Sequence, residues 1–191
     1  MTDVFFWKPY PNSYSKDSWR RVFSQWHLED FNFSTNVVYD MGPILGDNLE
    51  LLVNKTFNCR EQFMMACKAL LFANANGDNK INNIEVFNKI MSTNNPKAMK
   101  SLGRKVKGFN DDTWNMWRYQ IVVNGNYLQF SQNNELKNIL LETDNKQLIE
   151  ASPYDRVWGI GYTEDKSHNN KNNWGLNLLG LALMEVRDKL R

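Results

Sequence analysis

Cysteine is nearly missing from this 191-residue sequence: only Cys59 and Cys67 occur. That excludes a disulfide framework and a cysteine-built zinc site, and it makes a reducing, intracellular compartment the expectation. Histidine is equally sparse; His27 and His168 stand far apart, without metal-ligand spacing. Asn74, Asn76, Asp78 and Glu85 fall at ligand positions of a calcium loop, but Asn79 occupies the place where the sharp turn wants glycine. No metal and no cofactor is therefore expected. No apolar run approaches the ~18 residues of a membrane span. The N-terminal stretch MTDVFFWKPYPN lacks the basic start and long apolar core of a signal peptide. A cytoplasmic protein without a membrane partner is expected. An excess of one charge is also lacking: 23 basic residues against 21 acidic ones leave a net +2. This balance speaks against general affinity for nucleic acid or membranes. There is no phosphate loop and no GxGxxG.

What is present is an ordinary globular mixture, 42% hydrophobic and 23% charged, with a 13% aromatic share. The length fits one domain over residues 1–191. Residues 1–58 read as extended and irregular, broken by Pro9, Pro11 and Pro43, with short strands at Trp19–Trp26 and Asn36–Tyr39. From Cys59 the period becomes helical. Phe63, Ala66, Leu70 and Ala73 share a stripe, and Asn76-Gly77 ends it. Further helices are expected from Ile81 to Met91, from Asn95-Pro96 to Gly108, and from Asn110, the last of these interrupted near Asn124-Gly125. Two more run from Asn134 to Leu141 and from Trp174 to Leu190, and short strands are expected at Gln147–Glu150 and Arg156–Trp158. The fold class is mainly α, an α+β arrangement with a minor β component.

Three constellations can carry chemistry. Glu61 and Lys68 lie seven apart, on one helical face two turns apart. A lysine emerging among Met64, Met65, Cys67 and Leu71 loses its proton more easily if desolvated, and a neutral amine attacks carbonyl-like carbon. The competing reading is a solvated lysine and a glutamate that complements the helix dipole. Lys97, Lys100 and Arg104 share a second helical face, followed by Lys105 and Lys107. They suit a phosphate, or form a solvated face. The third constellation, Ser152-Pro153-Tyr154-Asp155-Arg156-Val157-Trp158-Gly159-Ile160-Gly161, is either a ligand loop offering Asp155 and Trp158 or a tight structural turn.

Taken together, several stretches resemble one family. Phe23-Ser24-Gln25-Trp26 is similar to its FSN(W/F) motif, with Gln25 in place of Asn. Glu61-Gln62-Phe63-Met64-Met65-Ala66-Cys67-Lys68-Ala69 resembles its E(H/Q)YMxAxKA helix. Lys100-Ser101-Leu102-Gly103-Arg104 resembles KxLGR, and Trp114 with Arg118 resembles WxxxR. Residues 150–161 resemble EASPxDxxWGxG. Trp174 through Arg187 resembles the terminal WxGxNxLGxxLMxxR, with a one-residue shift at the tryptophan. Gln129 precedes Phe130 where lysine is common, and residues 32–56 resemble an insertion. The family is NADAR, with its YbiA-like N-glycosidases, and the resemblance spans residues 5–191.

The resemblance implies a compact helical domain that hydrolyses the bond between ribose and a base without a metal. The implied substrates are phosphoribosylamino-pyrimidines of the early riboflavin pathway, whose removal limits metabolite damage. The alternatives are ADP-ribose on guanine of nucleic acid, where nucleic acid is a partner only as modified substrate, and a non-catalytic nucleotide-binding module. Implied catalytic residues are Lys68, as the Schiff-base nucleophile, with Glu61 and Asp155 as carboxyl groups. Arg104 and Lys100 would hold phosphate, Trp158 or Trp114 would stack on the base, and Asn177 would bond sugar hydroxyls. Arg118 and Gly159 complete the implied binding set. For Arg104 a pairing with Asp155, for Trp114 a core position and for Asn177 a bridging role are the structural alternatives.

Overall fold

The computed structural model describes residues 3–8, 18–34, 41–74 and 78–191. In chain order the elements are β1 (Val4–Phe6), β2 (Phe31–Asn32), α1 (Gly42–Leu45), β3 (Thr56–Phe57), α2 (Arg60–Leu71), α3 (Asp78–Met91), α4 (Pro96–Gly103), α5 (Asp111–Gln132), α6 (Asn134–Leu141), β4 (Leu148–Glu150), α7 (Glu164–Ser167) and α8 (Leu178–Leu190). Tighter 3-10 turns cover Ser18–Phe23, Gly46–Leu51, Phe72–Asn74 and His168–Asn173. The fold is mainly helical with a minor β component, as the residue pattern implies. Contacts divide the chain into two compact units, residues 28–129 and residues 1–27 with 130–191.

In the unit of residues 28–129, α2 packs against α3 and α4. Every residue of α2 is buried except Lys68. Phe63 anchors its start in a ring cluster with Phe31, Phe33 and Phe57. Gln62 secures the same end, its Oε1 accepting from the Asn58 N–H while its Nε2 donates to the carbonyls of Ile90 and Thr93. The described part of 32–56 contributes core rather than a loose loop. Met41, Ile44, Leu45 and Leu52 are buried there, and the Asn48 amide donates to the Leu70 carbonyl.

Two sequence expectations fail in this unit for identifiable reasons. The third expected helix, α4, begins at Pro96 behind an Asn95 cap that accepts from Lys97 and Ala98 N–H, but it ends at Gly103 rather than Gly108. Buried Asn83 captures Lys107 instead, accepting from its N–H at 2.8 Å and donating to its carbonyl at 3.0 Å. Those are the backbone groups a continued helix would need. Helix α5 runs through Asn124-Gly125 without interruption. Gly125 is a packing glycine, since a Cβ there would stand 2.8 Å from the Phe63 ring.

In the unit of residues 1–27 and 130–191, β1 pairs in parallel with β4, Phe5 opposite Ile149. Phe5, Ile149, Ala151 and Ile160 form an apolar cluster with Tyr162 and Trp174 against it. The expected strand at Trp19–Trp26 is a 3-10 turn from Ser18 to Phe23. The Ser24 and His27 N–H groups bond three residues back, and Ser24 Oγ accepts from Trp26 N–H, so this backbone satisfies itself locally. Arg156–Trp158 is a turn rather than a strand, because Asp155 folds the chain back (below). The last helix starts at Leu178, not Trp174. The Trp174 indole donates to the Ser167 carbonyl instead. The expected strand at Asn36–Tyr39 lies outside the described residues, as does Asn76-Gly77, and the helix expected to run up to that turn ends at Leu71, with a 3-10 turn over Phe72–Asn74.

Candidate active site

Lys68 is the one opening in a buried helix, and its surroundings follow from that. Its Nζ sits 4.2 Å from the Phe109 ring centroid and 5.3 Å from that of Trp114. Burial pushes the ammonium below its ordinary range; Asp111 and Glu61 oppose the shift and Arg104 adds to it. Glu61, Lys68, Arg104 and Trp114 are thus brought together within residues 28–129, with Asp111 and Phe109 beside them. Glu61 is buried and Trp114 is 8% exposed, a core-like position that still presents a ring to the amine. Arg104 caps α4 and is exposed, as is Lys100 one turn earlier. Half-buried Arg118 lies one turn beyond Trp114 on α5. Buried Arg60 donates to Asn126 Oδ1 at 2.8 Å, and burial pushes its guanidinium down to about 9.

The remaining sequence candidates form a second constellation, in the other unit. Asp155 Oδ1 accepts from the N–H of Val157 at 2.9 Å and of Trp158 at 2.8 Å, which closes the turn. The carbonyls of Val157 and Trp158 then accept from Leu178 and Leu179, the first N–H groups of α8. Gly159 lets this loop lie against β4; a Cβ there would stand 2.7 Å from the Glu150 carbonyl oxygen. Asn177, in the left-handed region at φ 50°, accepts from Glu150 N–H and donates to the Leu148 carbonyl, both at 2.9 Å. Its amide bridges α8 to β4, which is the bridging role open in the sequence.

The sequence pattern singles out neither Phe109 nor Asp111. Phe109 carries no motif; the one signal was an aromatic directly after Gly108, which takes φ +65°. Among the described residues no group of three His, Cys, Asp or Glu side chains is placed to hold a metal ion. None of the described helices is long and apolar enough to cross a membrane.

A mainly helical fold with a desolvated lysine beside a buried carboxyl group and aromatic walls suits attack on a carbonyl-like carbon. A family model, the NADAR domain, matches residues 5–191, and the chain belongs to the NADAR family. It is 41% identical over 170 residues to the N-glycosidase R617 of Acanthamoeba polyphaga mimivirus, 88% of this chain and 86% of that one. It is 29% identical over 110 residues to the riboflavin biosynthesis protein PYRR, chloroplastic, of Zea mays, which is 56% of this chain and 16% of that protein. The NMR structure of the E. coli protein YbiA shares the fold, with a TM-score of 0.61 at 19% identity, covering 100% of this chain and 86% of that one. The relationship supports N-glycosidase activity.

Proposed function

We propose that this chain is an N-glycosidase that releases the base from a phosphoribosylamino-pyrimidine of the early riboflavin pathway. The observation that carries the reading is Lys68, the single unburied residue of α2, with its charged form disfavoured by burial. Opening of the ribose ring breaks C1–O4′, passes the amino N–H proton to O4′ and leaves an imine between C1 and the amino nitrogen, and the neutral Lys68 amine adds to that C1. The C1–N bond to the base then breaks as the Glu61 carboxylate carries the protons leaving the lysine nitrogen to the departing nitrogen, and an imine remains between C1 and Lys68. Water then adds to the imine carbon, freeing ribose phosphate and the lysine. Exposed Arg104, with Lys100, binds the 5′-phosphate. The similarity to a riboflavin biosynthesis protein and the net charge of +2 favour a small pyrimidine substrate over nucleic acid.

The test sets a phosphoribosylamino-pyrimidine beside an oligonucleotide bearing ADP-ribosyl-guanine, with released base followed by chromatography. Release from the first alone is expected. Release from the second alone makes the protein a nucleic-acid de-modifying enzyme and overturns the substrate. Binding of either without any release leaves a nucleotide-binding module. The reaction uses no metal, so activity is expected to survive EDTA.

The pH profile follows from the same site. Only the free amine attacks, so kcat is expected to rise with pH through the Lys68 pKa, and burial places that rise below the ordinary lysine range. Asp111→Asn removes a negative neighbour that favours the ammonium, so the rise moves to lower pH. Arg104→Gln removes a positive neighbour and moves it to higher pH. Measuring kcat at saturating substrate separates these shifts from lost phosphate binding; movement in the opposite directions rejects the free-amine assignment.

A further inference from the structure

Phe109 is unlike the other described phenylalanines of residues 28–129. Phe31, Phe33, Phe57, Phe63, Phe72 and Phe87 are buried, whereas Phe109 is 40% exposed. It is nevertheless held in place. Asn83 grips both backbone groups of Lys107, Gly108 turns the chain at φ +65°, and the Phe72 ring packs 5.2 Å away at 54°. An aromatic ring fixed from behind and open to solvent is poised for a planar partner.

We infer that Phe109 is the stacking platform for the leaving heterocycle and a specificity-determining residue of the site. The inference rests on the N-glycosidase reading for the position of the substrate. The heterocycle is joined through its amino nitrogen to the carbon that Lys68 attacks, so its ring must begin within three bonds of Nζ. That amine already stands 4.2 Å above the Phe109 ring. An offset-stacked ring settles with its centroid roughly 4.5–7 Å away, so amine and heterocycle share one side of the same ring. Trp114, 5.3 Å from the amine, is too buried to offer a face of comparable extent. Stacking tolerates any flat heterocycle. Phe109 therefore selects for the presence of a planar base, and its exact identity must be read by hydrogen-bonding groups elsewhere.

The test measures dissociation constants at equilibrium, by calorimetry, for two probes: a free aminopyrimidinone and ribose 5-phosphate, which has no base. Phe109→Ala and Phe109→Leu are expected to weaken the aminopyrimidinone roughly 10–100-fold and leave ribose 5-phosphate within about 2-fold, while Phe109→Trp restores base binding. In turnover assays the same two variants should raise KM far more than they lower kcat. Equal weakening of both probes would show that the ring only supports Lys68, and unchanged aminopyrimidinone binding would show that nothing stacks there; either overturns the inference. Binding needs no turnover, so the two readings separate. A wild-type protein that binds the base through Phe109 but cleaves no glycoside keeps the platform and loses the N-glycosidase. A protein that cleaves the glycoside but binds the base equally well as Phe109→Ala loses the platform alone. Unfolding curves of the variants check that the loop change leaves the fold intact.

Discussion

Lys68→Ala is expected to reduce base release on the order of 10³-fold or more, with ribose 5-phosphate binding nearly unchanged. Without the amine, water must itself displace the base from C1, with no imine linking the sugar to the protein. The remaining carboxyl and phosphate contacts cannot replace that covalent step. Lys68→Arg should not rescue, because a guanidinium keeps its proton and offers no free lone pair at neutral pH. Borohydride added during turnover should fix a ribose phosphate adduct on the wild-type protein and none on Lys68→Ala, since only an imine is reduced to a stable amine. Glu61→Gln is expected to lose roughly 10²–10⁴-fold while still forming the adduct slowly, because the amine remains and only assisted departure of the base is lost. A Lys68→Ala protein that turns over at more than about a tenth of the wild-type rate removes lysine from the chemistry.

The helical half of this reading was legible because it is local. The stripe of Phe63, Ala66 and Leu70 places α2 by spacing alone, and Asn95-Pro96 and Asn110 announce their helices through short-range capping. The errors within residues 28–129 involve partners distant in sequence, whereas the strands expected at Trp19–Trp26 and Arg156–Trp158 gave way to bonds two or three residues long. Gly125 read as a breaker because its neighbour Phe63 is 62 positions away, and Gly108 read as a helix end because Asn83 is invisible to a local pattern. The β1–β4 pairing joins residues on opposite ends of the sequence, so Val4–Phe6 carried no strand signal of its own. At the site, the motif singled out Lys68 and Arg104, and the structure adds why Lys68 is special: every other residue of its helix is buried. Phe109 lay outside every motif. Its significance comes from where the ring stands, not from the residues beside it in sequence. Asp155 and Asn177 show the reverse case, residues conspicuous in a motif whose visible bonds are to backbone.

Gly180→Ala should lower stability by about 2–4 kcal/mol, a fall of roughly 5–15 °C in Tm for a chain of this size. Helix propensity alone predicts the opposite sign, since alanine is favoured over glycine by about 1 kcal/mol inside a helix. Packing decides the outcome. A Cβ at Gly180 would lie 2.0 Å from the Leu148 carbonyl oxygen and within 2.7 Å of both amide atoms of Asn177. The obstacle is β4 backbone, which cannot swing aside as a flexible side chain does. Relieving it means parting α8 from β4, which breaks the two Asn177 bonds to Leu148 and Glu150 at about 1 kcal/mol each. Asn177→Ala loses those same bonds and also places a Cβ-bearing residue without a local polar side chain at φ 50°. The two substitutions act on one junction, so the double variant should be less destabilised than the sum of the singles. An unchanged or raised Tm for Gly180→Ala means the helix does not sit this close to the strand. Full additivity with Asn177→Ala means the two residues do not share a junction. If both expectations hold, Asn177→Ala alone is a poor probe of sugar binding, because its fold defect precedes any loss of a ligand contact. Asn177→Gly, which keeps the left-handed turn but loses the same two amide bonds, separates the backbone share of the Asn177→Ala defect from the share of the bonds to β4.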